Sequence, residues 1–204
     1  MKGLFIVFEG ITGSGKKTQI RLLEQRLREA GKETLIISFP DFEGEIARLT
    51  RRRDFDNFTL SLLYAADRSL GQERIKSFLE KGGIVLCDRY SYSNLAYQTT
   101  NDIPLEWLLE IEKNTIKPNL VFFIDVPIEM SIKRLEQLSL EDFTKKESVD
   151  SLTKERERME RVRDAYMFLS KAGTDEAKWF IVDGTKAISF IHEEIWKTVS
   201  QFLT

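Results

Sequence analysis

Residues 10–19 read Gly10-Ile11-Thr12-Gly13-Ser14-Gly15-Lys16-Lys17-Thr18-Gln19, and the fold is decided here. An uninterrupted apolar run over 4–8 precedes the stretch. A segment over 19–30 follows it, with Ile20, Leu22, Leu23 and Leu27 at helical spacing and Gly31 closing the helix. Strand, glycine-rich loop and helix in that order make a phosphate cradle, the P-loop. Glycines let the backbone wrap an anion, N–H groups point inward at a helix N-terminus, and Lys16 reaches terminal phosphates. The pattern GxxxxGK[ST] is met at Gly10, Gly15 and Lys16, but Lys17 stands where the hydroxyl belongs. That hydroxyl ordinarily ligates the Mg²⁺ that bridges two phosphates, and an ammonium group cannot. Thr18 is the nearest substitute, yet one residue is ~100° around a helix. The expectation is a weaker or differently held Mg²⁺, with Lys17 supplying part of the missing charge to the phosphates.

Further along the chain, four more short segments are apolar without alternation, over 34–39, 84–87, 120–124 and 179–182. Continuous apolarity marks strands buried on both faces of a parallel sheet. Helical patterns lie between them, including 57–79, a charged segment over 151–171 read as a partly solvated outer helix, and 188–202. Strand–helix alternation predicts an α/β protein with a three-layer P-loop NTPase fold, a five-stranded parallel sheet with helices on both faces. No repeat or Pro/Gly-rich boundary divides the chain, so residues 1–204 read as one domain, with a polar, weakly periodic loop over about 138–150 as a mobile lid.

Composition excludes several chemistries. One cysteine and one histidine among 204 residues exclude a Cys/His zinc cluster, a disulfide framework and a Cys–His catalytic pair. Cys87 reads as a small buried apolar residue and His192 as a helix-flank residue. The 31 Lys+Arg and 33 Asp+Glu leave a formal charge of −2, which speaks against nucleic acid as a partner. No apolar run reaches the ~20 residues of a membrane span, and no signal peptide opens the chain, so a cytoplasmic protein is expected.

A second candidate site follows the run over 84–87, which leads directly into Asp88-Arg89-Tyr90. An acid at the carboxyl end of a buried parallel strand beside the P-loop is placed to hold a metal ion or its water, which makes Asp88 the metal-side carboxylate. Here the chain resembles the thymidylate kinase family. Phe8-Glu9-Gly10, Leu63-Tyr64-Ala65-Ala66-Asp67-Arg68, Asp88-Arg89-Tyr90-Ser91-Tyr92-Ser93-Asn94-Leu95-Ala96-Tyr97-Gln98 and Arg161-Val162-Arg163-Asp164-Ala165-Tyr166 carry the resemblance, in order, across nearly the whole chain. The third of these is the most specific.

The resemblance implies ATP-dependent phosphorylation of dTMP to dTDP, with Mg²⁺ as cofactor, ATP as phosphoryl donor and a homodimer as the assembly. It implies that Tyr64 stacks on thymine, that Arg68 hydrogen-bonds the base and that Arg89 holds the monophosphate. Ser93, Tyr97 and Gln98 line the base and deoxyribose, and the Tyr97 ring disfavours a 2′-hydroxyl. Phe39 and Arg48 complete the acceptor side, with Arg48 near its phosphate. On the donor side ATP meets Gly10, Thr12, Gly13, Ser14, Gly15, Lys16, Lys17 and Thr18, and Arg134 packs on adenine beside the turn Val182-Asp183-Gly184. Lys16, Lys17, Arg89 and Asp88 form the catalytic group.

The chain also departs from the family pattern. Thr12 stands where an acid often contacts the acceptor sugar, and Asp41 and Phe42 follow Phe39-Pro40 where an arginine is common. The lid and P-loop arginines of many members are absent, leaving Lys145 and Lys146 as the cations of the lid. Two alternatives therefore stand beside the leading reading. Thr12 and Asp41 motivate a deoxynucleoside monophosphate kinase of relaxed acceptor specificity, and Lys17 motivates a non-catalytic nucleotide-binding sensor.

Overall fold

The structure is a computed structural model and describes residues 3–41, 43–52, 54–138, 149–173 and 176–203, with side chains omitted at 138 and 149–153. The elements run β1 (Leu4–Glu9), α1 (Lys16–Glu29), β2 (Thr34–Ser38), α2 (Glu45–Thr50), α3 (Asn57–Glu80), β3 (Ile84–Asp88), α4 (Ser91–Thr99), α5 (Leu105–Glu112), β4 (Leu120–Asp125), α6 (Ile128–Leu138), α7 (Val149–Ala172), β5 (Lys178–Asp183) and α8 (Ile188–Ser200). All five expected strands form. They pair in parallel in the order β2-β3-β1-β4-β5. β1 therefore lies centrally, and its carboxyl end feeds the P-loop at the crossover point where open α/β sheets bind ligands.

Side-chain alternation along the strands divides the core into two layers. Leu4, Ile6 and Phe8 of β1 join Ile20, Leu23 and Leu27 of α1 and Ile191, Ile195 and Val199 of α8 on one face. Phe5 and Val7 join Ile75 of α3, Leu95 of α4, Leu108 of α5 and Val162, Tyr166 and Leu169 of α7 on the other. Each fully buried aliphatic or Phe side chain contributes ~1.5–3 kcal/mol of transfer free energy. This alternation sends Glu9, the last residue of β1, toward the α4 and α7 face.

One expectation needs correction. The segments over 34–39 and 179–182 read as buried on both faces, yet β2 and β5 are the sheet edges and are only partly buried. The segment over 151–171 forms α7 as expected, partly solvated, with the apolar stripe of Val162, Tyr166 and Leu169 buried against the sheet. Gly31 closes α1 as expected: it follows the C-cap residue Ala30 at φ 72°, and the Gly31 and Lys32 N–H groups donate to the Arg28 and Leu27 carbonyls at 2.9 Å each. Most of the expected lid, with Lys145 and Lys146, lies outside the described residues, as does Phe42. Among the described residues, no helix is long and apolar enough to cross a membrane.

Candidate active site

The P-loop turns because its glycines adopt backbone angles that other residues avoid. Gly10 has φ 140°, and a Cβ there would stand 2.7 Å from the Ile124 carbonyl oxygen. Gly15 is the N-cap of α1 at φ 103° and offers no capping side chain, so the first helical N–H groups are left for an anion. The Lys16 ammonium folds back on the loop, donating to the carbonyls of Gly10 and Ile11, both at 3.0 Å, and to Ser14 Oγ at 3.4 Å. Burial, then repulsion from Arg89, lowers its pKa to about 7, although Asp88 and Glu9 oppose the shift. Arg134 braces the outside of the loop, donating to the Ser14 carbonyl at 3.2 Å and to that of Gly184, just past β5, at 2.8 Å.

A cavity of about 670 Å³ opens over this loop, lined by residues 12–19, Asp88, Arg134 and the start of α8 among others. A second, of about 200 Å³, is lined by Tyr64, Arg68, Ser93, Asn94, Tyr97, Gln98 and Arg158 with Pro40. Thr12, Phe39 and Arg89 line both.

Arg89 is held from several sides. Its backbone is left-handed at φ 67°, a strained state for a non-glycine residue, and its N–H donates to the Phe8 carbonyl at 3.0 Å. Its guanidinium donates to Ser93 Oγ at 3.3 Å, Tyr166 OH at 3.4 Å, and Thr12 Oγ1 and Tyr97 OH at 3.2 Å each. Burial opposes the charge, but Tyr97, Tyr166, Glu9 and Asp88 together hold it protonated, with its pKa above the ordinary arginine value. Glu9 anchors the cluster, accepting from the Tyr90 N–H at 2.8 Å, Ser93 Oγ at 2.7 Å and Tyr166 OH at 2.9 Å. Burial raises the Glu9 pKa despite those bonds.

At the far end of the smaller cavity Arg68 is clamped by Glu112, donating from Nε at 3.0 Å and from Nη2. Asn94 Nδ2 donates to Glu112 Oε1 at 2.8 Å and to the Ser61 carbonyl at 3.2 Å. Both neighbours are acceptors, so the amide orientation is fixed and Oδ1, which is buried, has no hydrogen-bond partner. Next to Arg68 on α3, the Asp67 carboxylate accepts from the Asp41 N–H at 2.8 Å, holding the turn after the cis Phe39-Pro40 bond.

Gly10, expected to meet ATP, lines neither cavity. Residues 12–18, Asp88 and Arg134 line the larger cavity, and every expected acceptor residue except Arg48 lines the smaller one. Arg48 is exposed on α2 and lines neither. Arg68 is buried in an ion pair with Glu112, 44 residues away, a partner that no local pattern announces. Asn94 and Arg158 were not singled out as site residues in the sequence. Asn94 sits one helical turn before Gln98, so a helical reading of 91–99 finds it, whereas Arg158 carries no local signal. Cys87 is fully buried, and burial raises its thiol pKa well above the ordinary value; His192 is a partly buried flank residue of α8.

The site also fits a magnesium ion. Asp88 Oδ1 is buried without a hydrogen-bond partner at the edge of the larger cavity, an anionic oxygen that one cation would satisfy. Magnesium keeps waters and binds through one or two carboxylates plus substrate phosphates, and Asp88 supplies such a carboxylate beside the phosphate cradle.

A parallel sheet with a P-loop at its crossover, and a second chamber meeting the first at an arginine, define a P-loop phosphotransferase of the nucleoside monophosphate kinase class. The thymidylate kinase family profile matches residues 8–195. The chain is 37% identical to a thymidylate kinase of Thermosipho africanus over 98% of its length and 99% of the relative's. It is 35% identical to the thymidylate kinase of Thermosipho melanesiensis, again over 98% and 99%, and 34% identical to a probable thymidylate kinase of Pyrococcus abyssi, over 96% and 95%. The chain belongs to the thymidylate kinase family.

Proposed function

We propose that this chain transfers the γ-phosphoryl group of ATP to dTMP, giving dTDP and ADP. The observation that carries the proposal is the junction of the two cavities, where Thr12, Phe39 and Arg89 belong to both. A donor in the larger chamber and an acceptor in the smaller one present their phosphates to one another at Arg89. An acceptor phosphate oxygen forms the new bond to the γ-phosphorus while the bond to the β,γ-bridging oxygen breaks, so no protein nucleophile is needed.

Lys16, Lys17 and the loop N–H groups bind the donor phosphates, Arg134 borders the adenine side, and Arg89 offers a planar fork to the acceptor phosphate. Asp88 would hold Mg²⁺ through water, and the ion would supply charge neutralisation to the β- and γ-phosphates. Tyr64 stacks on the base, and Ser93, Tyr97 and Gln98 border the sugar and base. Arg68, a donor, and Asn94 Oδ1, an unpartnered acceptor, suit the 4-oxo and N3–H groups of thymine and oppose the reversed pattern of cytosine. Phe39 seats the acceptor against the junction. Arg48, exposed on α2, lines neither cavity and is given no part in the transfer.

The names of the relatives favour thymidylate over a relaxed acceptor range and favour catalysis over sensing. We further propose that residues 1–204 act as one domain and that the chain pairs as a homodimer. Coupled ADP-release assays with ATP, Mg²⁺ and a panel of dTMP, dUMP, dCMP and dGMP test the reaction. Turnover is expected with dTMP foremost and dCMP least among the pyrimidines, and nucleotide binding without turnover of any acceptor refutes the proposal.

A further inference from the structure

Three guanidinium groups line the smaller cavity, those of Arg68, Arg89 and Arg158. Two of them have buried carboxylates set against them. Arg68 is bidentate on Glu112, and Arg89 lies in the field of the buried Glu9 and shares with it the hydroxyls of Ser93 and Tyr166. Arg158 differs. Among the described residues, the carboxylate in contact with it is that of Glu155 at 3.6 Å, one turn back on α7, and the Glu155 side chain is 57% exposed. Such a water-screened pair holds an arginine only weakly.

Among the described residues Arg158 is thus the guanidinium of this chamber with no buried carboxylate set against it, and an anion is what such a group accepts. The same arginine is also near the right place. Its guanidinium carbon lies 6.0 Å from the Tyr97 ring centroid, and that of Arg89 lies 5.1 Å from the same ring. Tyr64, on the opposite wall, feels the charge of Arg158 more strongly than that of Arg89 or Arg68. An arginine anchored on an aromatic face keeps its N–H edge available for oxygen ligands.

Resting on the proposed dTMP phosphorylation, we propose that Arg158 is a second arginine ligand of the acceptor's phosphate, engaging it from the α7 wall while Arg89 engages it from the P-loop side. A phosphate monoester dianion is thereby held by two forks, and α7 becomes part of the acceptor site rather than only a cover for the sheet. Thymidine, which lacks the phosphate, gains nothing from Arg158.

The test uses the full chain with R158M, which keeps the apolar stem, and R158K, which keeps charge without the planar fork. Calorimetry measures dTMP and thymidine affinities, and ADP release gives kcat and KM for dTMP. R158M is expected to weaken dTMP binding and raise KM by ~10-fold or more, the scale of one lost charge-assisted contact, with thymidine affinity within about twofold of wild type. R158K is expected to fall between the two, and it carries the test if R158M does not fold. Unchanged dTMP affinity, or equal losses for dTMP and thymidine, overturns the assignment, the second result making Arg158 a packing residue. A wild-type chain that neither binds nor phosphorylates dTMP overturns the proposed reaction as well. Wild-type turnover with unchanged variants overturns the Arg158 role alone.

Discussion

Lys16 and Lys17 are adjacent in the chain and face different physics. Lys16 is 6% exposed, and burial followed by Arg89 repulsion brings its pKa to about 7. A lowered lysine pKa means that, from about pH 7 up to the ordinary lysine range, the folded chain holds fewer protons than the unfolded one. The penalty of this burial is full at low pH and fades as pH rises through that window. Donor phosphates at the ammonium reverse the shift. ATP binding is therefore expected to draw a proton onto Lys16 above about pH 7, so net proton uptake is larger at pH 8 than at pH 6. Calorimetry in buffers of different ionisation enthalpy reads this directly, and uptake independent of pH argues against it. Lys17 lines the donor cavity where a hydroxyl would ligate metal. Lys17→Thr should lower the Mg²⁺ concentration for half-maximal turnover by ~5-fold, the worth of about one weak ligand, and an unchanged Mg²⁺ dependence refutes the idea.

At the scale of elements, α3 shows packing overriding propensity. Gly71 sits inside this helix, where glycine ordinarily costs ~1 kcal/mol relative to alanine. A Cβ at Gly71 would lie 2.6 Å from Cζ of Phe39, whose buried ring packs on Tyr90 at a centroid distance of 5.8 Å and lines both cavities. Gly71→Ala is therefore expected to destabilise the chain by ~1–3 kcal/mol, as overpacking does, and to raise the KM for the acceptor by displacing Phe39. Urea unfolding checks the sign, since an alanine that stabilises the chain would show the ring free to yield. The contrast with the P-loop explains what the sequence makes legible. Gly10, Gly15, Lys16 and the apolar run before them act through near neighbours, so strand, cradle and helix can be read from ten consecutive residues. The five strands show for the same reason, because apolar content is local. Which strand is an edge depends on sheet order, so β2 and β5 read like the interior strands. The clamp of Arg68 by Glu112 and the arrival of Arg158 beside Tyr97 join residues far apart in the chain, and no spacing rule reaches them. Arg48 shows the converse: its position matches the family pattern, but α2 leaves it exposed.

At the scale of the whole molecule, a formal charge of −2 coexists with guanidiniums gathered at the carboxyl edge of the sheet, so the cationic field is a property of placement rather than of composition. Apolar surface is likewise uneven. Along α3, Phe58, Leu62, Ala66 and Leu70 recur every four residues and are all exposed, with Phe58 at 48%, Leu62 at 49% and Leu70 at 75%. That spacing makes one ridge ~18 Å long, the kind of surface one helix presents to another. Singly exposed leucines need no explanation, but a continuous apolar ridge marks an interaction surface. The proposed homodimer would set a second copy of the same ridge against it across a twofold axis. Sedimentation velocity at micromolar concentration should find a species of twice the 23.8 kDa chain. Leu70→Glu places a charge on the most exposed point of the ridge, where a substitution alters monomer stability by ~0.5 kcal/mol or less. It should move the population to monomer by at least ~10-fold in dissociation constant, because each copy would bury an unpaired charge against the apolar ridge of its partner. A wild-type chain that sediments as a monomer, or a dimer indifferent to Leu70→Glu, removes this ridge as the interface.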